Sequence, residues 1–123
     1  LVTDPTQFDV LVAPNLYGDI ISDLCAGLVG GLGFAPSANI GEDVTIYEAV
    51  HGSAPDIAGM NKANPTSLLL SFAMLLKANG MEEKGKKLES AIYAVIQEGI
   101  HTTSDIGGKA STAEFTEAVR EKL

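Results

Sequence analysis

Two short stretches hold most of the side chains in this sequence that could do chemistry. In Asn15-Leu16-Tyr17-Gly18-Asp19-Ile20-Ile21-Ser22-Asp23, two carboxylates stand four residues apart behind a glycine. If a helix opens at Gly18, Asp19 and Asp23 share one face, because residues four apart are neighbours on a helix surface. Like charges at that spacing cost a helix roughly 0.2–0.5 kcal/mol unless a cation lies between them. A hard divalent ion such as Mg²⁺ takes oxygen ligands, often one or two protein carboxylates completed by water and substrate oxygens. The pair has the chemistry for part of such a site. The plainer account is that both are helix-start acids favoured by the dipole.

The second stretch is Glu48-Ala49-Val50-His51-Gly52-Ser53-Ala54-Pro55-Asp56-Ile57-Ala58-Gly59. It combines an imidazole, a turn of small residues and a carboxylate. Small residues let a flat heterocycle lie against the backbone. A carboxylate there accepts hydrogen bonds from a ribose diol and repels a 2′-phosphate, which favours NAD over NADP. The competing account is a solvated loop His and Asp. The glycines from Gly27 to Gly33 do not form a dinucleotide fingerprint, which needs G-x-G-x-x-G between a strand and a helix start. Here they close a helix and run into Phe34-Ala35-Pro36. Cys25 reads as a small core residue and His101 as structural or exposed. Ser22 and Ser53 lack a nucleophile-elbow context.

The elements that must carry these residues follow from pattern. Phe8-Asp9-Val10-Leu11-Val12-Ala13, bounded by Pro14, reads as a strand buried on both faces. Asp19 to about Val29 reads as a helix with Ile20, Leu24 and Leu28 inward. Val44 to Glu48 is a second strand candidate, and His51 to Asn64 a long loop of the kind that is usually functional. Asn64-Pro65-Thr66 signals a helix start and Asn79-Gly80 its end. Glu82 to Glu98 carries Leu88, Ile92, Val95 and Ile96 on one stripe and stops at Gly99. Ser111-Thr112-Ala113-Glu114 is a capping box that opens a last helix with Phe115, Ala118 and Val119 inward.

Composition bounds the partners. The chain has 123 residues, 46% of them hydrophobic, enough for one domain with a real core. A net charge of −8 argues against nucleic acid or an anionic membrane as partner. The lone Cys25 excludes an internal disulfide, and no apolar run reaches transmembrane length. A start at Leu1 and a single arginine, Arg120, suggest a piece of a longer protein.

These motifs, in this order, resemble the β-decarboxylating dehydrogenases, the family of isocitrate and 3-isopropylmalate dehydrogenases. The likeness runs from Phe8-Asp9-Val10 to the closing helix. The run from Asn15 to Asn39-Ile40-Gly41 and then Glu48-Ala49-Val50-His51-Gly52 is most similar to the NAD-dependent isocitrate branch. The resemblance implies an α/β fold: a mixed sheet with helices on both sides, in two lobes, of which only the C-terminal part is present. Residues 1–30 would end a small, dimer-forming lobe, and residues 31–123 would be the C-terminal part of a large cofactor lobe.

The resemblance also implies roles. Asp19 and Asp23 would bind Mg²⁺ or Mn²⁺, which chelates isocitrate. Glu48 would lie near the nicotinamide, while His51, Gly52, Ser53 and Ala54, leading into Pro55, would cradle the adenosine. Asp56 and Ile57 would select NAD, Asn64 would touch the adenine, and Asp105 would close over the cofactor. The implied reaction is oxidation of isocitrate by NAD followed by loss of carbon dioxide. No Tyr or Lys here matches the family's catalytic pair, and the substrate-gripping arginines are absent. Both are expected outside this segment, which would be inactive alone. In this family one metal-binding Asp and the Lys also come from a partner subunit, so a homodimer or hetero-oligomer is implied, in bacterial cytoplasm or mitochondrial matrix. The alternatives are isopropylmalate or homoisocitrate as substrate, a non-catalytic regulatory subunit, or a free-standing binding domain.

Overall fold

The computed structural model describes residues 1–123, with four helices and one two-stranded sheet. Helix α1 spans Asn15–Leu28, strand β1 Pro36–Ile40 and strand β2 Thr45–Ala49. Helix α2 spans Thr66–Ala78, α3 Glu82–Glu98 and α4 Thr112–Glu121. Short 3-10 turns at Pro55–Ile57 and Ser104–Ile106 lie in the connecting loops.

The core lies between α2, α3 and α4. Leu70, Ala73, Leu88, Ala91, Ile92, Val95, Phe115, Ala118 and Val119 form one buried cluster, and Ile92 and Phe115 are fully buried. The spacing of Leu88, Ala91, Ile92 and Val95 puts them on one stripe of α3, as the sequence pattern requires. Gly85 lets α2 and α3 approach closely: a Cβ there would stand 2.8 Å from the Ala73 carbonyl oxygen. Beside that contact, Lys77 Nζ donates to both carboxylate oxygens of Glu89 at 2.6 Å. The hydrogen bond to Glu89 raises the Lys77 pKa. Gly99 ends α3 in the left-handed conformation, φ 69°, where a side chain is disfavoured.

Strands β1 and β2 pair antiparallel, with Pro36 opposite Ala49 and Ile40 opposite Thr45. Serines on α2 hold this hairpin. Ser67 Oγ donates to the Ala35 carbonyl at 2.6 Å. Ser71 Oγ donates to the Glu48 carbonyl at 2.7 Å and accepts the Ser37 N–H at 3.2 Å. One buried hydroxyl thus bonds both strands to the helix, satisfying polar groups whose burial would otherwise be costly.

Three expectations are corrected. Residues 8–13 form no strand: Val10 is 80% and Val12 93% exposed. A strand needs a ladder partner, and residues 8–13 join neither edge of the β1–β2 hairpin, the one sheet present. Helix α1 opens at Asn15, one turn before the expected start, and Ile20, Leu24 and Leu28 are exposed. Only Ala26 of α1 is buried, Cys25 is half-buried, and α1 packs against no other helix or strand. The fold is mixed α/β, but its sheet is a single antiparallel hairpin and not a mixed sheet flanked on both sides. No helix is long and apolar enough to cross a membrane.

Candidate functional site

A cavity of about 320 Å³ opens where three separate parts of the chain meet. Its wall includes Gly33 after the glycine break, His51, Gly52, Ala54 and Ile57 from the long loop, and Ser104 and Asp105 from the 3-10 turn before α4. Lys62, Ala63 and Asn64 complete it where the loop runs into α2. A second cavity of about 280 Å³ adjoins it and shares His51, Gly52, Ala54, Ile57, Lys62 and Ala63.

The centre of the wall is a polar pair. Asn64 Nδ2 donates to Asp105 Oδ2 at 2.9 Å, and Asn64 Oδ1 accepts the Thr66 N–H at 3.0 Å. One buried amide therefore satisfies a free donor at the start of α2 and orients a carboxylate 41 residues away. Gly33 faces the same pair, since a Cβ there would lie 3.5 Å from Asp105 Oδ2. The Asp105 turn is held from below by Gly108, where a Cβ would fall 1.8 Å from the Thr102 carbonyl oxygen. Ala54 is left-handed at φ 42°, which is uncommon for a residue with a Cβ and concentrates strain in the loop. His51 Nδ1 lies 2.9 Å from the Gly52 carbonyl. A hydrogen bond there requires Nδ1 to carry the proton, leaving Nε2 free to accept.

Of the expected cofactor residues, the structure brings His51, Gly52, Ala54, Ile57, Asn64 and Asp105 to the first cavity. Ser53 lines only the second. Pro55 and Asp56, in the exposed turn next to Ile57, line neither. Glu48 lies in β2, where its side chain accepts from Asn39 Nδ2 at 2.6 Å, away from both cavities. Gly33, Lys62, Ala63 and Ser104 were not expected as site residues from the sequence. Lys62 brings the one lysine or arginine side chain to both walls.

Asp19 and Asp23 lie on successive turns of α1, both exposed. Because α1 opens at Asn15, neither is a first-turn acid, and the dipole account of the pair loses its basis. No third His, Cys, Asp or Glu joins them in a group able to hold a metal. Two carboxylate oxygen donors suit a hard divalent ion as a partial ligand set completed from elsewhere.

Known proteins are similar to this chain in sequence and in fold. A model of the isocitrate/isopropylmalate dehydrogenase family matches residues 1–119. The chain is 61% identical over its whole length to isocitrate dehydrogenase [NAD] catalytic subunit 5, mitochondrial, of Arabidopsis thaliana, and covers 33% of that protein. It is 58% identical to isocitrate dehydrogenase [NAD] subunit alpha, mitochondrial, of Sus scrofa, again over the whole chain and 34% of the relative. Among solved structures, isocitrate dehydrogenase from Methylococcus capsulatus superposes with a TM-score of 0.92 at 47% identity, covering 98% of this chain and 36% of that one. The TT0538 protein from Thermus thermophilus superposes at 0.94 with 50% identity, covering 99% of this chain and 25% of that one. The chain spans about a third of the length of the curated relatives it matches.

Proposed function

The chain belongs to the isocitrate/isopropylmalate dehydrogenase family, and from that premise we propose that the protein carrying it oxidises and decarboxylates isocitrate with NAD. The observation that carries this reading is the cavity in which His51, Gly52, Ala54, Ile57, Asn64 and Asp105 converge, together with the names of the relatives described above. In the reaction a hydride leaves the hydroxyl-bearing carbon for NAD while the hydroxyl proton passes to a base. The resulting β-keto acid then loses carbon dioxide to give 2-oxoglutarate.

On this reading the cavity is the adenosine side of the NAD site. Gly52 and Ala54 leave room for a flat base, and Asn64 keeps one amide N–H and one Oδ1 lone pair beyond its internal bonds for the edge of that base. Asp105, oriented by Asn64, closes the wall. Asp56 is the neighbour of the cavity-lining Ile57 in the 3-10 turn, and a carboxylate facing the ribose would disfavour a 2′-phosphate. Glu48 would act further along, towards the nicotinamide. Asp19 and Asp23 would hold Mg²⁺ or Mn²⁺, which supplies Lewis-acid polarisation of a substrate oxygen when bound. The proton-transferring Tyr and Lys and the substrate arginines belong to the rest of the protein or to a partner subunit.

The segment is read as the C-terminal part of the longer protein on the resemblance of its motifs to the family alone. The separation of α1 from the other helices supports a lobe boundary near Gly30, with residues 1–30 closing a smaller, dimer-forming lobe. The relatives' mitochondrial names support a matrix location. The test is steady-state kinetics of the full-length protein with isocitrate, 3-isopropylmalate and homoisocitrate, each with NAD or NADP. Preferred turnover of isocitrate with NAD is expected; preference for isopropylmalate or for NADP would sink the assignment.

A further inference from the structure

The loop from His51 to Asn64 supplies most of the cavity wall, yet its only regular structure is one 3-10 turn. Towards its far end it is fastened to α4, chiefly at one residue. Asn61 is left-handed, φ 56°, and in that conformation it offers two acceptors to the start of α4. Its carbonyl accepts the Thr112 N–H at 3.0 Å, and its Oδ1 accepts the Ala113 N–H at 3.1 Å. The Thr112 hydroxyl returns a hydrogen bond to the Ala63 carbonyl. Ser111 Oγ takes the next donor, the Glu114 N–H, at 3.2 Å. The first N–H groups of a helix have no partner within it, and here the loop and the capping box divide them.

We propose that Asn61 is a positioning residue that locks the loop onto α4 and so holds Lys62, Ala63 and Asn64 in the cavity wall opposite Asp105. The position makes two demands at once. The backbone must be left-handed, which Asn tolerates better than most residues, and the side chain must accept a helix-end N–H. Asn and Asp meet both. Gly meets only the first and Ala neither. The proposal rests on reading the cavity as the NAD site.

The test uses the full-length protein with Asn61→Ala, Asn61→Gly and Asn61→Asp, reading NAD kinetics, isocitrate kinetics and hydrogen exchange of residues 51–63. Asn61→Ala is expected to raise KM for NAD about tenfold, in keeping with the cost of small misplacements in a binding site. Its kcat and KM for isocitrate should stay near wild type, exchange in the loop should quicken, and Asn61→Asp should restore both readouts. Asn61→Gly, which keeps the backbone free of strain, should show the same KM split and serves if Asn61→Ala does not fold. An unchanged NAD KM and unchanged exchange in Asn61→Gly would overturn the proposal, as would failure of Asn61→Asp to rescue. If the wild-type protein neither turns over nor binds NAD, the cofactor reading alone fails, and the exchange data still decide whether Asn61 clamps the loop.

Discussion

The side chain of Asn64 bridges the start of α2 and Asp105: it accepts the Thr66 N–H through Oδ1 and donates to the Asp105 carboxylate through Nδ2. Helix capping and the shape of the cavity therefore depend on one amide. Asn64→Asp keeps the cap acceptor but sets a second carboxylate against Asp105. Asn64→Ala loses both bonds, and the missing cap should lower stability by about 1 kcal/mol. Both variants should weaken NAD binding, measured by calorimetry on the full-length protein, and Asn64→Asp should do so with the smaller fall in Tm.

The carboxylate pair of α1 makes a separate prediction. Asp23→Asn in the full-length protein should reduce the affinity for Mn²⁺ by at least about tenfold, the lower range seen for weaker perturbations of metal sites. The readout is activity against metal concentration, with direct Mn²⁺ binding by electron paramagnetic resonance. Unchanged turnover and unchanged Mn²⁺ binding would favour a non-catalytic regulatory subunit instead.

Gly85 tests the α2–α3 contact. Alanine is the better helix former by about 1 kcal/mol, so an exposed site would gain stability. Here a Cβ would meet the Ala73 carbonyl and the Lys77 side chain, and overpacking costs about 1–3 kcal/mol. Gly85→Ala should therefore lower the denaturant midpoint and weaken the Lys77–Glu89 pair. An unchanged or raised midpoint would show that the helices can separate at little cost.

The capping box of α4 has a pH signature. Ser111, through its backbone N–H and then its hydroxyl, holds the Glu114 pKa below the ordinary value of 4.5. A carboxyl whose folded pKa is lowered adds stability that is complete above the unfolded pKa and is lost as pH falls through the folded value. Wild type should thus lose more stability than Glu114→Gln as pH is lowered below 4.5. Chemical denaturation of both proteins across that range checks the sign. Glu117, also held low by its hydrogen bond to Arg120, contributes equally to both and cancels in the comparison.

The helices that build the core were legible because their signals are local. Glu82–Glu98 has an apolar stripe and a terminal glycine, and Ser111 to Glu114 spells its own cap. The ends of α2 were legible for the same reason. Helix α1 was legible as a helix, but its exposed apolar face and the exposure of residues 8–13 were not, because an apolar run shows that a surface should be covered but not what covers it. Nothing local distinguishes a buried strand from an extended segment that lacks a neighbour. In the site, the His51 to Ile57 loop and Asn64 could be found from residue type and motif. Gly33, Lys62, Ala63 and Ser104 could not, because they reach the cavity only through the packing of α2 and the return of the chain before α4. The clamp by Asn61 joins positions 51 and 52 residues apart, and no pattern within the loop announces it.

The uncovered apolar side chains of residues 8–12 and of α1 have a practical consequence. Phe8, Val10, Leu11, Val12, Leu16, Tyr17, Ile20, Leu24 and Leu28 all face water, a far larger greasy area than a soluble monomer normally tolerates. Expressed by itself, this polypeptide should self-associate and collect in inclusion bodies, with light scattering that climbs steeply with concentration. Recombinant work will need the longer gene product, or polar replacements along that helix, before any solution measurement is attempted.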